Sequence, residues 1–275
     1  VASSGTNTRV MTTTNGLLWN IQTTPIDINW QTLTASNNLI VALASSGTSN
    51  RVMTSTDAVN WYLKSDASNF NWQSVCWSNT LNLFIAVASS GNITYKTNDA
   101  GLIINSRIMT SIDGQSWVAS KLELFNNWSS VCWAGNIGKF IAVSKTGDNN
   151  RAITSLDGLS WSTQTTPNND WESICWSNDL NIAVAVASSG TNNRIMTSTN
   201  GINWTSQISP ADNNWTSICQ GRIDVGLLTE RELFVAVANS GTNRVMISED
   251  GVNWSLQNAS VNNNWSSVCW ANNIN

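Results

Sequence analysis

An all-β chain of six like units is predicted by three observations. The first is a unit of about 43 residues whose markers recur in one register. One tryptophan series runs Trp30, Trp72, Trp128, Trp171, Trp215 and Trp265, and a second runs Trp19, Trp61, Trp117, Trp161, Trp204 and Trp254. Successive members of the second series lie 42, 56, 44, 43 and 50 residues apart. An arginine series keeps the same step: Arg9, Arg51, Arg107, Arg151, Arg194 and Arg244. The second observation is that each unit holds short Val-, Ile-, Thr- and Trp-rich runs separated by Gly, Asn, Asp and Ser, with no 3.6-residue period that would mark a helix. The third is that the chain opens in the middle of a unit (VASSGTNTRVMT) and closes at the beginning of one (NNWSSVCWANNIN). From Trp254 through residue 275 and on to Trp19 is 40 residues, so the ends are expected to complete one unit.

Four strands per unit follow in order. Strand A is the run Trp72 to Trp77 (WQSVCW), and strand B is Leu83 to Ser90, almost continuously apolar as a strand covered on both faces is. Strand C is Arg51 to Ser55, and strand D starts at Asn60-Trp61. Six units of four antiparallel strands describe a six-bladed β-propeller in one domain, 1–275. Its blades are expected at about 28–65, 70–121, 126–165, 169–208 and 213–258, the last being 263–275 joined to 1–24. In that last blade strands B, C and D come from the N-terminus and strand A from the C-terminus. Closure of this kind removes the end blades that a linear stack has to protect. Val1 reads as a processed or cut end.

The C–D turn carries the sharpest local pattern: TTTNGLLW (12–19), TSTDAVNW (54–61), TSIDGQSW (110–117), TSLDGLSW (154–161), TSTNGINW (197–204) and ISEDGVNW (247–254). The short side chains of Asn15, Asp57, Asp113, Asp157, Asn200 and Asp250 suit bonding to the turn's own backbone, and the following glycine tolerates positive φ. These turns resemble the Asp-box (BNR-like) repeat of sialidase-type propellers, Ser-x-Asp-x-Gly-x-x-Trp. They depart from it in having Asp and Gly adjacent, in Asn at Asn15 and Asn200, and in Ala58 for Gly. The resemblance covers a few residues in every blade. It implies a structural turn and carries no activity.

Composition narrows the function. Charged residues are 11% and the net charge is −4, which argues against general nucleic-acid or anionic-membrane binding. No run is long enough for a membrane span, and no signal peptide opens the chain. Cys76, Cys132, Cys175, Cys219 and Cys269 occupy one site in five units, with Thr34 in the other. Equivalent sites on neighbouring blades are expected too far apart for disulfides, so these are read as small buried apolar residues, and free thiols lean to a reducing, cytoplasmic compartment. Seven glycosylation sequons (Asn92, Asn127, Asn203, Asn214, Asn253, Asn258 and Asn264) largely fall out of the repeat itself, and secretion stays open.

With no histidine, His-based nucleophile activation and His-containing metal sites are absent. Only Tyr62 and Tyr95 are tyrosines, and the five glutamates show no recurrent pairing; a pair such as Asp99 with Glu172 is left open. The chain is therefore expected to be no enzyme and to hold no cofactor or metal. The D–A and B–C loops share one face, and in SPADNN (209–214), TPNND (166–170) and SGTNNR (189–194) that face is small and polar. Arg9, Arg51, Arg107, Arg151, Arg194 and Arg244 start strand C at this face. They are candidate contacts for an anion or acidic sugar, with Asp27, Asp66, Asp170 and Asp212 as alternative loop partners. A third tryptophan, at Trp77, Trp133, Trp176 and Trp270, becomes Ala35 and Gln220 in the other units and is a candidate for sugar stacking. Two insertions break the symmetry: 92–106 in a B–C loop and 221–232 in an A–B loop. The expected function is a non-catalytic binding or structural propeller, a monomeric ring unless part of a larger assembly, that docks another macromolecule, a protein or a glycan. The alternative is a multivalent lectin on the repeated polar loops, and a glycosidase-like enzyme is a distant third.

Overall fold

The computed structural model describes residues 1–64, 68–91, 106–120, 122, 124–224 and 230–271, with the backbone alone at 96–98 and 101–103. The described residues are all-β apart from one 3-10 turn, Gly135–Ile137. β1 (Val10–Thr12) pairs with β2 (Asn20–Gln22) as a two-stranded sheet. β3 (Trp30–Ala35), β4 (Ile40–Ala44), β5 (Val52–Ser55) and β6 (Tyr62–Lys64) form a four-stranded antiparallel sheet in chain order. The next stretch runs β7 (Phe70–Ser78), β8 (Leu83–Gly91), β9 (Lys96–Asn98), β10 (Gly101–Ile103), β11 (Ile108–Ser111) and β12 (Val118–Ala119). Here β9 and β10 pair separately, and the other four make a sheet of the same order as the first.

Three more four-stranded sheets follow in chain order. They are β13 (Trp128–Ala134), β14 (Lys139–Ser144), β15 (Ala152–Ser155) and β16 (Ser162–Gln164); β17 (Trp171–Ser177), β18 (Ile182–Ala187), β19 (Ile195–Ser198) and β20 (Thr205–Gln207); and β21 (Trp215–Asp224), β22 (Glu230–Ala238), β23 (Val245–Ser248) and β24 (Ser255–Gln257).

The chain divides into two compact units, one of Val1–Val131 with Ser155–Trp161, the other of Cys132–Thr154 with Ser162–Asn273. In the first unit the core is built on Trp30, Trp72 and Trp128 and on the apolar strands β4 and β8. In the second it is built on Trp171 and Trp215 with β18 and the apolar part of β22. All five are fully buried, and for Trp30, Trp72, Trp171 and Trp215 the reason is local. The ladder shifts by one residue just after Trp30, Trp72, Trp171 and Trp215, a β-bulge repeated at one register, which re-aims the ring into the core. The indole N–H then donates to the carbonyl four residues back: Ile26 for Trp30, Ser68 for Trp72, Pro167 for Trp171 and Ala211 for Trp215.

The last blade differs from the expectation. Among the described residues, 1–9 hold no strand, because after Val1-Ala2 the sequence turns polar. Residues 263–271 hold no assigned strand either, yet they dock as strands A do. Val268 N–H donates to Ser217 Oγ at 3.2 Å, matching Ile218 N–H to Ser173 Oγ at 3.2 Å and, in the first unit, Val131 N–H to Ser74 Oγ at 3.2 Å. Insertion 221–232 also differs. It extends the β21–β22 ladder through the pairs Gly221↔Leu233, Arg222↔Glu232, Ile223↔Arg231 and Asp224↔Glu230 instead of forming a loop. The Arg222↔Glu232 pair sets opposite charges face to face across the strands. The hairpin tip, 225–229, and much of the 92–106 insertion, with Asp99 and Tyr95, lie outside the described residues.

Candidate functional site

The six repeated arginines form internal staples. Arg194 shows the full pattern. Its Nε donates to Gly190 O at 2.9 Å and its Nη1 to Ser188 O at 2.8 Å, clamping its own B–C loop. The same Nη1 reaches Asn213 O at 2.9 Å and Asn214 Oδ1 at 3.1 Å, just ahead of the next strand A. Arg51 repeats it on Gly47, Ser45, Phe70 and Asn71; Arg151 on Gly147, Lys145 and Asp170; Arg244 on Gly241, Asn239 and Asn264. Arg107 donates to Phe125 O, Asn126 O and Asn127 Oδ1, and Arg9 to Gly5 O and Ser3 O. Of the loop carboxylates, Asp27 lies 3.5 Å from Arg9, Asp170 2.9 Å from Arg151 and Asp212 3.5 Å from Arg194, while Asp66 is outside the described residues. Burial lowers the pKa of Arg51 and Arg107. A guanidinium that donates to several carbonyls in a fixed fork has few donors left for a ligand.

The third-tryptophan positions are packed as well. Trp176 is buried, and its Nε1 donates to Asn178 Oδ1 at 3.0 Å. Trp77 tilts against Phe84 at 4.3 Å and Trp133 against Phe140 at 4.6 Å. Trp270 lies on Gly221, where a Cβ would sit 1.9 Å from its ring. The turn residues accept backbone bonds: Asp250 Oδ1 from Val252 and Asn253 N–H, Asp57 Oδ1 from Val59 and Asn60, Asp113 from Gln115 and Ser116, Asp157 from Leu159 and Ser160. Asn200 and Asn15 do the same through the amide oxygen. In five of the six turns the tryptophan (Trp61, Trp117, Trp161, Trp204, Trp254) donates to the carbonyl three residues back, as Trp254 does to Gly251 O at 3.0 Å. None of the five cysteines is in a disulfide. Cys76, Cys132, Cys175 and Cys219 are half-buried and Cys269 is exposed, where the sequence predicts small buried residues. Desolvation pushes the Cys132 thiol up to about 12 and that of Cys219 to about 11, which keeps both protonated and unreactive. Glu172 is held by Lys145 at 2.6 Å and by the Ser188 hydroxyl.

What the repeats do not share is a cleft of about 430 Å³ at the base of the β21–β22 hairpin, lined by Asp179, Arg222, Glu230, Arg231, Glu232 and Glu249 with Leu180. Glu232 anchors it, with a side chain only 8% exposed. Its carboxylate accepts from Ser177 Oγ at 3.0 Å, from Gln220 Nε2 and from Arg222 Nε at 3.1 Å. Arg222 also meets Asp179 and, at 3.4 Å, Glu230. The hydrogen bond to Glu232 leads in raising the Arg222 pKa. Arg231 pairs with Glu249 at 2.6 Å on the outer wall. Four carboxylates and two guanidiniums leave the cleft net acidic. The sequence marked this hairpin as an insertion. Asp179 and Glu249 sit at ordinary repeat positions and gave no signal there. Among the described residues no three His, Cys, Asp or Glu side chains gather as a metal site, and no helix is long and apolar enough to cross a membrane.

No protein-family model matches the chain, and no curated protein matches it either. Solved structures do. Virginiamycin B lyase from Staphylococcus aureus is similar at a TM-score of 0.60 and 12% identity, over 85% of this chain and 71% of that one. The GH74 enzyme of Niastella koreensis is similar at 0.58 and 17%, over 86% of this chain and 32% of that one. A chain of the nidogen/laminin complex is similar at 0.56 and 11%, over 84% and 80%. Identities this low show the fold alone: repeated propeller-type blades, which these neighbours use in two enzymes and in a complex of binding proteins.

Proposed function

We propose that this chain is a non-catalytic binding propeller that docks another protein through the acidic cleft of the β21–β22 hairpin. The observation that carries this is the hairpin itself. It breaks the repeat, stands out from its sheet as a paired ladder, and builds a net acidic cleft on the buried carboxylate of Glu232. Such a surface fits a partner that presents lysine or arginine. The repeated polar face supports a lectin less well, because its arginines already donate to loop carbonyls. The absence of histidine from the chain also supports a non-catalytic role.

The closed ring belongs to the same proposal. It rests on Leu33, exposed where Val75 and Ile174 at the same strand-A register are buried, an apolar side chain that a neighbouring blade would cover. So does kinship with Asp-box propellers, supported by the carboxylate-bonded turns.

An array of basic peptides probed with the wild-type chain and with a Glu230→Lys, Glu249→Lys double variant tests the docking role. Both residues are exposed, so the variant keeps its fold. Capture of basic peptides that falls at least about tenfold in the variant is the expected result. Equal capture by the two proteins overturns the assignment.

A further inference from the structure

We propose, resting on the docking role of the hairpin cleft, that the cleft selects lysine over arginine: a partner's ammonium sits among Asp179, Glu230 and Glu249, with its methylene stem on Leu180. The four carboxylates of the cleft are not equivalent. Glu232 is the buried one, and both of its oxygens are taken. Its Oε1 accepts from Arg222 Nε at 3.1 Å, and its Oε2 accepts from Ser177 Oγ at 3.0 Å and from Gln220 Nε2. The other three carboxylates are exposed. Each of them gives one oxygen to an arginine of the cleft and keeps the other. Asp179 Oδ2 and Glu230 Oε2 accept from Arg222, and Glu249 Oε1 accepts from Arg231. Asp179 Oδ1, Glu230 Oε1 and Glu249 Oε2 have no donor among the described residues.

That half-occupied state decides which cation fits. A guanidinium is recognised best by two parallel N–H···O bonds to both oxygens of one carboxylate. No carboxylate of this cleft offers both oxygens. An incoming arginine does not gain by displacing Arg222 either. Arg222 is the cation of Glu232, and a buried carboxylate stripped of its partner is strongly disfavoured. An ammonium instead makes separate bonds in three directions and asks for one oxygen at a time.

The open oxygens come from three elements: Asp179 from the β17–β18 turn, Glu230 from the start of β22 and Glu249 from the turn after β23. Asp179 and Glu230 both lie within the reach of one guanidinium, so they stand close to each other. Leu180 is exposed next to Asp179 and lines the same cleft. It gives the long methylene stem of a lysine an apolar seat while the charged head stays among the carboxylates.

The probes are two fluorescent peptides of equal length and equal charge, one of lysine, glycine and serine, the other with arginine in place of every lysine. Each is titrated with the whole chain at low ionic strength and followed by anisotropy. The lysine peptide is expected to bind about fivefold tighter or more. Glu230→Gln keeps the size of the side chain and is expected to weaken the lysine peptide about threefold or more, narrowing that preference. Acetylation of the lysines removes their charge and is expected to abolish binding. An arginine peptide that binds as well or better, and is lost in the Glu230→Lys, Glu249→Lys variant, overturns the choice of lysine and leaves the docking role standing. Unchanged lysine binding in Glu230→Gln overturns the ammonium seat. Binding of neither peptide overturns the docking role and the choice of lysine together. Unchanged circular dichroism of Glu230→Gln shows that any loss is local.

Discussion

Val268 donates its N–H to Ser217 Oγ at 3.2 Å, and so gives the C-terminal segment the docking bond that Ile218 makes to Ser173 one sheet earlier. Thr216 Oγ1 adds a bond to Trp265 O at 2.8 Å, and Trp265 N–H reaches Ala238 O at 3.3 Å. The segment is thereby held on β21 without belonging to an assigned sheet.

Ser217→Ala removes that bond and is expected to destabilise the docked segment by about 1 kcal/mol, the usual net value of one hydrogen bond. Amide exchange at Val268 should quicken about fivefold, while exchange in β17 and β18 stays unchanged. Unaltered protection at Val268 would show that the bond holds nothing.

Arg194→Ala removes a guanidinium that donates to Gly190, Ser188, Asn213 and Asn214. A loss of about 1–3 kcal/mol in a urea melt is expected, because loop carbonyls, that of buried Asn213 among them, are left without their charged donor. Arg194→Lys is expected to recover little of it, since an ammonium cannot span the same fork. Arg51→Ala and Arg151→Ala should behave alike.

Gly221→Ala puts a methyl 1.9 Å from the Trp270 ring. Overpacking there is expected to cost about 1–3 kcal/mol and to displace Trp270, seen as a change in near-UV circular dichroism. Gly138→Ala is the control: it has the space, with nothing within 4 Å, but sits at a φ of +61°, so it isolates backbone strain from crowding.

Acid sensitivity follows from the turns. Burial alone would raise the Asp250 carboxyl, but hydrogen bonds from Asn253 and Val252 outweigh it and hold the pKa at about 2. The folded value lies below the ordinary carboxylate value of about 3.9. The stability it contributes is therefore present above about pH 4 and is lost as pH falls toward 2. Asp57, Asp113 and Asp157 are shifted the same way. Melting temperature should drop through this window, and Asp250→Asn should drop less steeply. The substitution keeps the turn, as Asn200 does by accepting from Ile202 and Asn203 N–H.

Much of the architecture was legible in the sequence because each repeat states it again. The strand-A tryptophans, the apolar strand B and the Asp–Gly turns set four strands to a unit, and five such sheets stand in the structure. The bulge after Trp30, Trp72, Trp171 and Trp215 was not legible, since a one-residue ladder shift leaves no mark in alternating runs. The site was legible only in outline. The arginine series was visible, but whether a guanidinium faces solvent or a loop carbonyl is decided by the fold of that loop. The 221–232 insertion was visible as extra length. Its ladder, and the meeting of Arg222 with Asp179 and Glu232, depend on neighbours more than forty residues away in the case of Asp179.

The central claim is that the repeated polar face is bonded internally and that docking falls to the hairpin cleft. A glycan array that includes sulfated and sialylated sugars, probed with the whole chain, tests it most directly. No competable hit is the result this account predicts. Competable binding of an acidic sugar, lost in an Arg51→Ala, Arg151→Ala, Arg194→Ala variant that remains folded, would contradict it and return the arginine face to the role of a lectin site.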